Sequence, residues 1–122
     1  MALNHLHLHV RDRPRAEAFY EQWLGLRVAR RGKRLTFMRD DAGFDLALMD
    51  DANATAMPAW FHFGFRQASA DAVRALHRRM REAAVPAVDS LGDEAEMVWF
   101  RCADPDGYRI EVYWEAENAP LD

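Results

Sequence analysis

The sequence predicts an α+β fold of two βαβββ modules whose strands form a curved mixed sheet around a cleft. Three observations predict it. Stretches of strict apolar–polar alternation mark half-buried strands. Two capped segments with apolar residues at helical spacing mark helices. The order strand, helix, three strands then occurs twice, with matching residues at matching places, which is the signature of an internal repeat. The 122 residues suffice for a single domain with a real core. Module 1 is expected at about 1–52 and module 2 at about 58–116.

The first strand spans Leu3 to Arg11, with Leu6, Leu8 and Val10 on one face and His5, His7 and His9 on the other. Asp12 is placed to cap a helix and Pro14 suits its first turn. Ala16, Phe19, Tyr20, Trp23 and Leu24 form the helix's apolar stripe, and Gly25 stands where a C-terminal cap belongs. Strands at Leu26–Arg30, Leu35–Arg39 and Phe44–Asp50 follow, broken by Arg31-Gly32-Lys33 and Asp40-Asp41-Ala42-Gly43. Small and polar residues from Asp51 to Pro58 link the halves.

The pattern then restarts. Phe61, Phe63 and Phe65 alternate with His62, Gly64 and Arg66. Ser69 can cap a second helix, with Asp71 near its N-terminus and Val73, Leu76, Met80 and Ala84 (or Ala83) along its apolar stripe. Strands are expected near Val85–Ser90, Glu96–Cys102 and Tyr108–Glu115. His5 aligns with His62 and Phe19 with Leu76 at one offset. Gly43–Leu48 aligns with Gly107–Val112 at a slightly longer one, so the second module carries an insertion among its middle strands.

Composition narrows the function classes. The net charge is −4, which disfavours nucleic acid as a partner, and the basic cluster Arg78, Arg79 and Arg81 reads as the solvated face of a helix. A single cysteine, Cys102, excludes an intramolecular disulfide and a cysteine-based zinc centre. No apolar run reaches the roughly 20 residues that span a bilayer. His5, His7, His9 and Arg11 interrupt any signal-peptide core, so the expected location is cytoplasmic.

Parity along the strands assigns faces. With the leucines and phenylalanines packed inward, the opposite face collects His5, His7 and His9; Asp45, Ala47 and Met49; His62, Gly64 and Arg66; Met97, Trp99 and Arg101; and Arg109, Glu111 and Tyr113. A sheet face this rich in His, Arg, Glu and Tyr makes sense as the inside of a curved sheet that holds a polar site.

At this point the chain resembles the vicinal oxygen chelate superfamily, which includes glyoxalase I, fosfomycin-resistance proteins, bleomycin-binding proteins and extradiol dioxygenases. The resemblance covers nearly the whole chain. It rests on Leu3-Asn4-His5-Leu6, on Phe19-Tyr20-Glu21-Gln22-Trp23-Leu24-Gly25-Leu26, on Phe61-His62-Phe63, and most specifically on Asp104-Pro105-Asp106-Gly107-Tyr108-Arg109-Ile110-Glu111.

The resemblance implies a glyoxalase/dioxygenase-like fold with a metal in its cleft. Ligands in metal-using members come from the first and last strands of each module. Carried onto this chain, those positions are His5, Ala47, His62 and Glu111. Alanine cannot bind metal, which leaves an open centre of His5, His62 and Glu111. Two histidines and a carboxylate suit Fe(II) or Mn(II), and would also accept Zn(II), Ni(II) or Co(II).

Several chemistries remain open on this reading. The four-ligand glyoxalase I pattern is broken at Ala47. The acidic stretch Glu115-Ala116-Glu117-Asn118 replaces the basic segment with which fosfomycin-modifying members grip the phosphonate. Extradiol-type dioxygenation, or a lyase or isomerase working through a metal-bound enolate, fits the triad better. Glu111, His7 and Tyr113 are the candidate catalytic groups. Trp99, Arg101, His9 and Arg66 are candidates for substrate contact, and Arg109 joins Arg66 and Arg101 as a possible anchor for an anionic group. The alternative is a non-catalytic protein that sequesters a small antibiotic-type molecule. The resemblance also implies a homodimer, with modules paired within one chain or exchanged between two.

Overall fold

The computed structural model describes residues 1–121, which gather into two compact units. The first comprises Met1–Ala56 with Asp104–Asp106, and the second Met57–Ala103 with the chain from Gly107 onward.

In the first unit, β1 (His5–Val10) buries Leu8 and Val10 and leaves its three histidines exposed. The Asp12 carboxylate accepts from the Arg15 N–H at 3.1 Å and starts α1 (Arg13–Leu24). Gly25 ends the helix at φ 69°, a left-handed conformation that glycine adopts at little steric cost. The remaining strands are β2 (Arg27–Arg31), β3 (Leu35–Arg39) and β4 (Asp45–Asp50). They assemble in the order β1-β4-β3-β2, with β1 parallel to β4 and the other pairs antiparallel. Ala16, Tyr20, Leu24, Met38, Leu46 and Leu48 are buried between helix and sheet. The Asp104-Pro105-Asp106 turn is tied to this unit by two bonds. The Tyr20 hydroxyl donates to Asp104 Oδ2 at 2.6 Å, and the Arg11 N–H donates to Asp106 Oδ1 at 2.9 Å.

The second unit repeats the plan. Its elements are β5 (His62–Arg66), α2 (Ala70–Glu82), β6 (Gly92–Asp93), β7 (Met97–Ala103) and β8 (Arg109–Glu115), with the order β5-β8-β7-β6 and β5 parallel to β8. Ser69 caps α2 by accepting from the Ala72 N–H at 3.1 Å. Val73, Leu76 and Met80 of the helix are buried, as are Val98, Phe100, Ile110 and Val112 of the sheet. Both modules of the α+β fold read from the sequence are therefore present, each as its own four-stranded sheet. No helix among the described residues is long and apolar enough to cross a membrane.

Three expectations need correction. The strand expected near Val85–Ser90 is absent, and β6 is only the pair Gly92–Asp93 further along. Pro86 has no N–H to give a ladder, and Ala84 and Ala87 take φ values of 54° and 59°, which an extended strand cannot contain. Ala83 and Ala84 are exposed at the end of α2 rather than part of its apolar stripe. Phe61, Phe63 and Phe65 point away from the histidine face as parity requires, but they are half-buried rather than core.

Two acidic residues, Asp104 and Glu17, are buried, which the sequence did not foretell. Glu17 on α1 is 7% exposed. It accepts from the Thr36 hydroxyl at 2.6 Å and from Arg31 at 3.1 and 3.2 Å. Burial pushes its carboxyl upward, and the bonds from Arg31 and Thr36, with the charges of Arg31 and Arg13, outweigh this and hold it below the ordinary value. A carboxylate held low stabilises the fold above its unfolded-state value and loses that contribution as pH falls through the lower folded-state one. Glu17→Gln is therefore expected to cost about 1–3 kcal/mol at pH 7, and the gap to the parent is expected to narrow as pH falls below the ordinary glutamate range and to close below the lowered folded-state value. Urea unfolding across that pH range measures it. A gap that is unchanged at low pH would show that the charge contributes nothing.

Candidate functional site

Strand register arranges the outward face of the second sheet in rows. His62 stands beside Arg109, and Arg109 beside Ala103. Gly64 stands beside Glu111, and Glu111 beside Arg101. Arg66 stands beside Tyr113, and Tyr113 beside Trp99, which in turn faces Gly92. The face thus carries His62 and Arg109 at one end, Glu111 and Arg101 between, and the rings of Tyr113 and Trp99 with Arg66 beside them at the other.

His62 and Glu111 form the chemical centre of this face. The imidazole Nε2 lies 3.4 Å from Glu111 Oε2, with the side chains 34% and 16% exposed. His62 Nδ1 lies 3.1 Å from the Trp60 carbonyl oxygen, and since a carbonyl only accepts, Nδ1 carries the proton. That leaves Nε2 as the ring nitrogen that faces Glu111. A backbone carbonyl fixing the tautomer in this way is the usual support behind a metal-binding histidine. Two adjacent ligands, each about 2.1 Å from a common cation, lie roughly 3 Å apart. The pair therefore fits a divalent ion in both spacing and donor chemistry. The other contact of Glu111 is a long one, 3.5 Å from an Arg101 nitrogen.

The two large aromatics owe their poses to glycines. A Cβ on Gly92 would fall 2.4 Å from two carbons of the Trp99 indole, so only glycine lets the ring lie flat against β6. A Cβ on Gly64 would come within 3.1 Å of the Tyr113 ring. Sequence parity identified the aromatics, and the register between strands was needed to find the glycines that seat them.

The remaining candidates divide by their partners. Arg66 is committed to Glu115, bonding its carboxylate at 3.2 Å and its carbonyl at 2.7 Å, with the Tyr113 ring alongside. Its charge serves the end of β8 rather than an open site. His9 Nδ1 is 2.9 Å from an Asp51 carboxylate oxygen, and that contact holds Asp51 below its ordinary value. The rings of His7 and His9 meet edge to face with centres 5.2 Å apart.

His5 belongs to the first unit, where Asn4, His5, His7, Phe37, Asp45 and Ala47 line a pocket of about 290 Å³. Across the strands, His5 stands beside Asp45 and His7 beside Ala47. Asp45 is bound through both oxygens by Arg39 at 2.7 and 3.0 Å, and Arg39 holds its carboxyl low. The small side chain of Ala47 stands where Glu111 stands in the second unit. Among the described residues, no three His, Cys, Asp or Glu side chains form a group that could hold a metal ion. The structure thus joins His62 to Glu111, while His5 heads the equivalent strand of the other unit.

A sequence model of the Glyoxalase/Bleomycin resistance protein/Dioxygenase superfamily matches residues 2–112. An uncharacterized protein of Pseudomonas aeruginosa is 34% identical over 129 aligned residues, covering 97% of this chain and 91% of the relative. A solved structure of a possible glyoxalase from Bacillus cereus is also 34% identical, with a TM-score of 0.80 over 92% of this chain and 97% of that one. Lactoylglutathione lyase from Agrobacterium tumefaciens shares the fold at 24% identity, with a TM-score of 0.74 over 93% of this chain and 92% of its own.

Proposed function

The chain belongs to the glyoxalase/bleomycin resistance protein/dioxygenase superfamily, and on that premise we propose that it is a small divalent-metal-dependent enzyme acting on vicinal oxygens of a small molecule. The reaction classes that fit are extradiol-type oxygenation, and a lyase or isomerase reaction through an enolate. The observation that supports this best is the His62–Glu111 pair, with Nδ1 of the imidazole held by a backbone carbonyl and Nε2 at a distance from Glu111 suited to a shared cation.

His62, Glu111 and His5 are the proposed ligands, with Fe(II) or Mn(II) favoured over Zn(II), Ni(II) or Co(II). Such an ion would supply Lewis acidity at coordination positions left open for substrate. Trp99 and Tyr113 form an apolar wall that excludes water from one side of the bound molecule. The Tyr113 hydroxyl and the His7 imidazole are the groups proposed to move protons, and both stand on the outward faces of their sheets. A homodimer is the proposed assembly, with His5 supplied by the same chain or by its partner.

A second reading, that of a non-catalytic protein which sequesters a small molecule, draws on the adjacent rings of Trp99 and Tyr113, which could hold a ligand without a metal. Untagged protein titrated anaerobically with Fe(II) and with Mn(II) distinguishes the two. The expected result is tight uptake of about one ion per chain, with protons released as ligands are freed for the metal. Folded protein that takes up neither ion would overturn the enzyme reading and leave sequestration. If Fe(II) binds, oxygen uptake with simple catechols separates oxygenation from the lyase and isomerase classes.

A further inference from the structure

The internal repeat offers a comparison of the chain with itself. His5 stands beside Asp45 and Asp45 beside Arg39, whereas at the same register His62 stands beside Arg109 and Arg109 beside Ala103. In the first unit this cross-strand pair is closed, since Arg39 binds both oxygens of Asp45. In the second unit the sign of the β8 residue is reversed and its cross-strand neighbour is an alanine. Arg109 is exposed, and its guanidinium has no hydrogen bond or ion pair among the described residues. A guanidinium on the same face as the metal-binding pair, with its donors unspent, is a ready receptor for an oxyanion.

The surroundings fit that use. A pocket of about 150 Å³ is lined by Ala87, Asp89, Arg101, Ala103, Gly107 and Arg109, together with Cys102. That volume suits a head group rather than a whole substrate. Asp89 gives the pocket one acidic edge. The loop that carries Asp89 is pinned in place, because its N–H donates to the Arg101 carbonyl at 2.8 Å and its own carbonyl accepts from His77 at 2.9 Å. Arg101 is the second guanidinium, held among the described residues only by its 3.5 Å contact to Glu111. At the opposite end of the same face stand Trp99 and Tyr113. Arg109 and Tyr113 are four residues apart on β8, which is about 13 Å along a strand.

We propose that Arg109, with Arg101 beside it, receives the oxyanion end of the substrate, and that the substrate is a small organic acid whose apolar or aromatic body lies against Trp99 and Tyr113. This rests on the reading of the face as a substrate site, and it names the class of molecule that the site selects. The oxyanion is a carboxylate or a phosphonate, since the guanidinium fork matches both.

Saturation-transfer NMR titrations with three probes test it: 3-phenylpropionate, 2-phenylethylphosphonate and the uncharged 3-phenylpropanol. They are run on the parent, on Arg109→Gln and on Arg109→Lys, each with and without Mn(II). At least one acid is expected to bind the parent about tenfold or more tightly than the alcohol, as a charge-assisted bond to an arginine should give. Arg109→Gln is expected to erase that preference while leaving alcohol affinity within about twofold, and Arg109→Lys to restore part of it. Unaltered alcohol binding also shows that the variant is folded. Absence of acid binding, equal binding of acid and alcohol by the parent, or a preference that survives Arg109→Gln would overturn the proposal. Metal content is measured on the same samples. An Arg109-dependent preference in protein that takes up no metal would overturn the metal reading and leave this one standing.

Discussion

Glu111→Ala is expected to lower divalent-metal affinity by roughly 100-fold or more, beyond the 10–100-fold that follows loss of an outer-shell partner. Glu111 is the carboxylate that the second sheet sets against a histidine nitrogen. Its contacts at 3.4 and 3.5 Å are too long to satisfy a largely buried carboxylate fully. The contrast with Asp45 is informative. That carboxylate has two short bonds from one guanidinium, so a cation arriving there would have to displace Arg39. Asp45→Asn is accordingly the control, expected to leave metal affinity unchanged. Competitive titration of parent, Glu111→Ala and Asp45→Asn against a coloured chelator measures all three. An affinity of Glu111→Ala within about threefold of the parent would remove the carboxylate from the ligand set.

The legible part of this molecule was the part governed by local periodicity. Alternation placed His5, His62 and Glu111 on the outward faces of their strands, and the caps at Asp12, Gly25 and Ser69 were readable because capping is a local transaction between neighbours. The failures lie where the deciding partner is distant in sequence or where backbone conformation overrides side-chain pattern. Val85–Ser90 has the apolar content of a strand, but Pro86 and the left-handed alanines around it set its path. Glu17 reads as an ordinary surface residue of a helix. Nothing near it in sequence announces that buried Thr36 and the exposed Arg31 will both bond it. The free state of Arg109 is of the same kind, since it follows from an alanine on the neighbouring strand. The repeat aligned Asp45 with Arg109 as it aligned Ala47 with Glu111, but only the register showed that Arg39 stands beside the first and Ala103 beside the second.

Phe100→Ala is expected to destabilise the fold by about 3–5 kcal/mol, while Trp99→Ala, one residue away, costs much less stability and mainly weakens ligand binding. The difference follows from parity on β7, where buried and half-buried residues alternate without a break. Phe100 is 1% exposed and packs inward, its ring meeting that of His77 on α2 at a centre distance of 5.0 Å. Truncation there opens a cavity between helix and sheet, which their partial collapse does not fill. Against a total stability of about 5–15 kcal/mol, that loss is a large fraction of the whole. It also frees His77, whose bond to the Asp89 carbonyl holds the loop beside Arg101 and Arg109. Trp99 points the other way and rests on Gly92, so its removal uncovers one side of the proposed substrate wall and leaves the core intact. Denaturant unfolding and probe titration on the two variants read stability and binding separately. A Trp99→Ala loss equal to that of Phe100→Ala would mean that the indole is itself core, and the aromatic end of the substrate face would have to be reassigned. If parity holds, one strand carries the core of the second unit on its inward side and the recognition surface on its outward side. The alternation visible in Met97-Val98-Trp99-Phe100-Arg101-Cys102 is then the physical link between the fold and the function proposed for it.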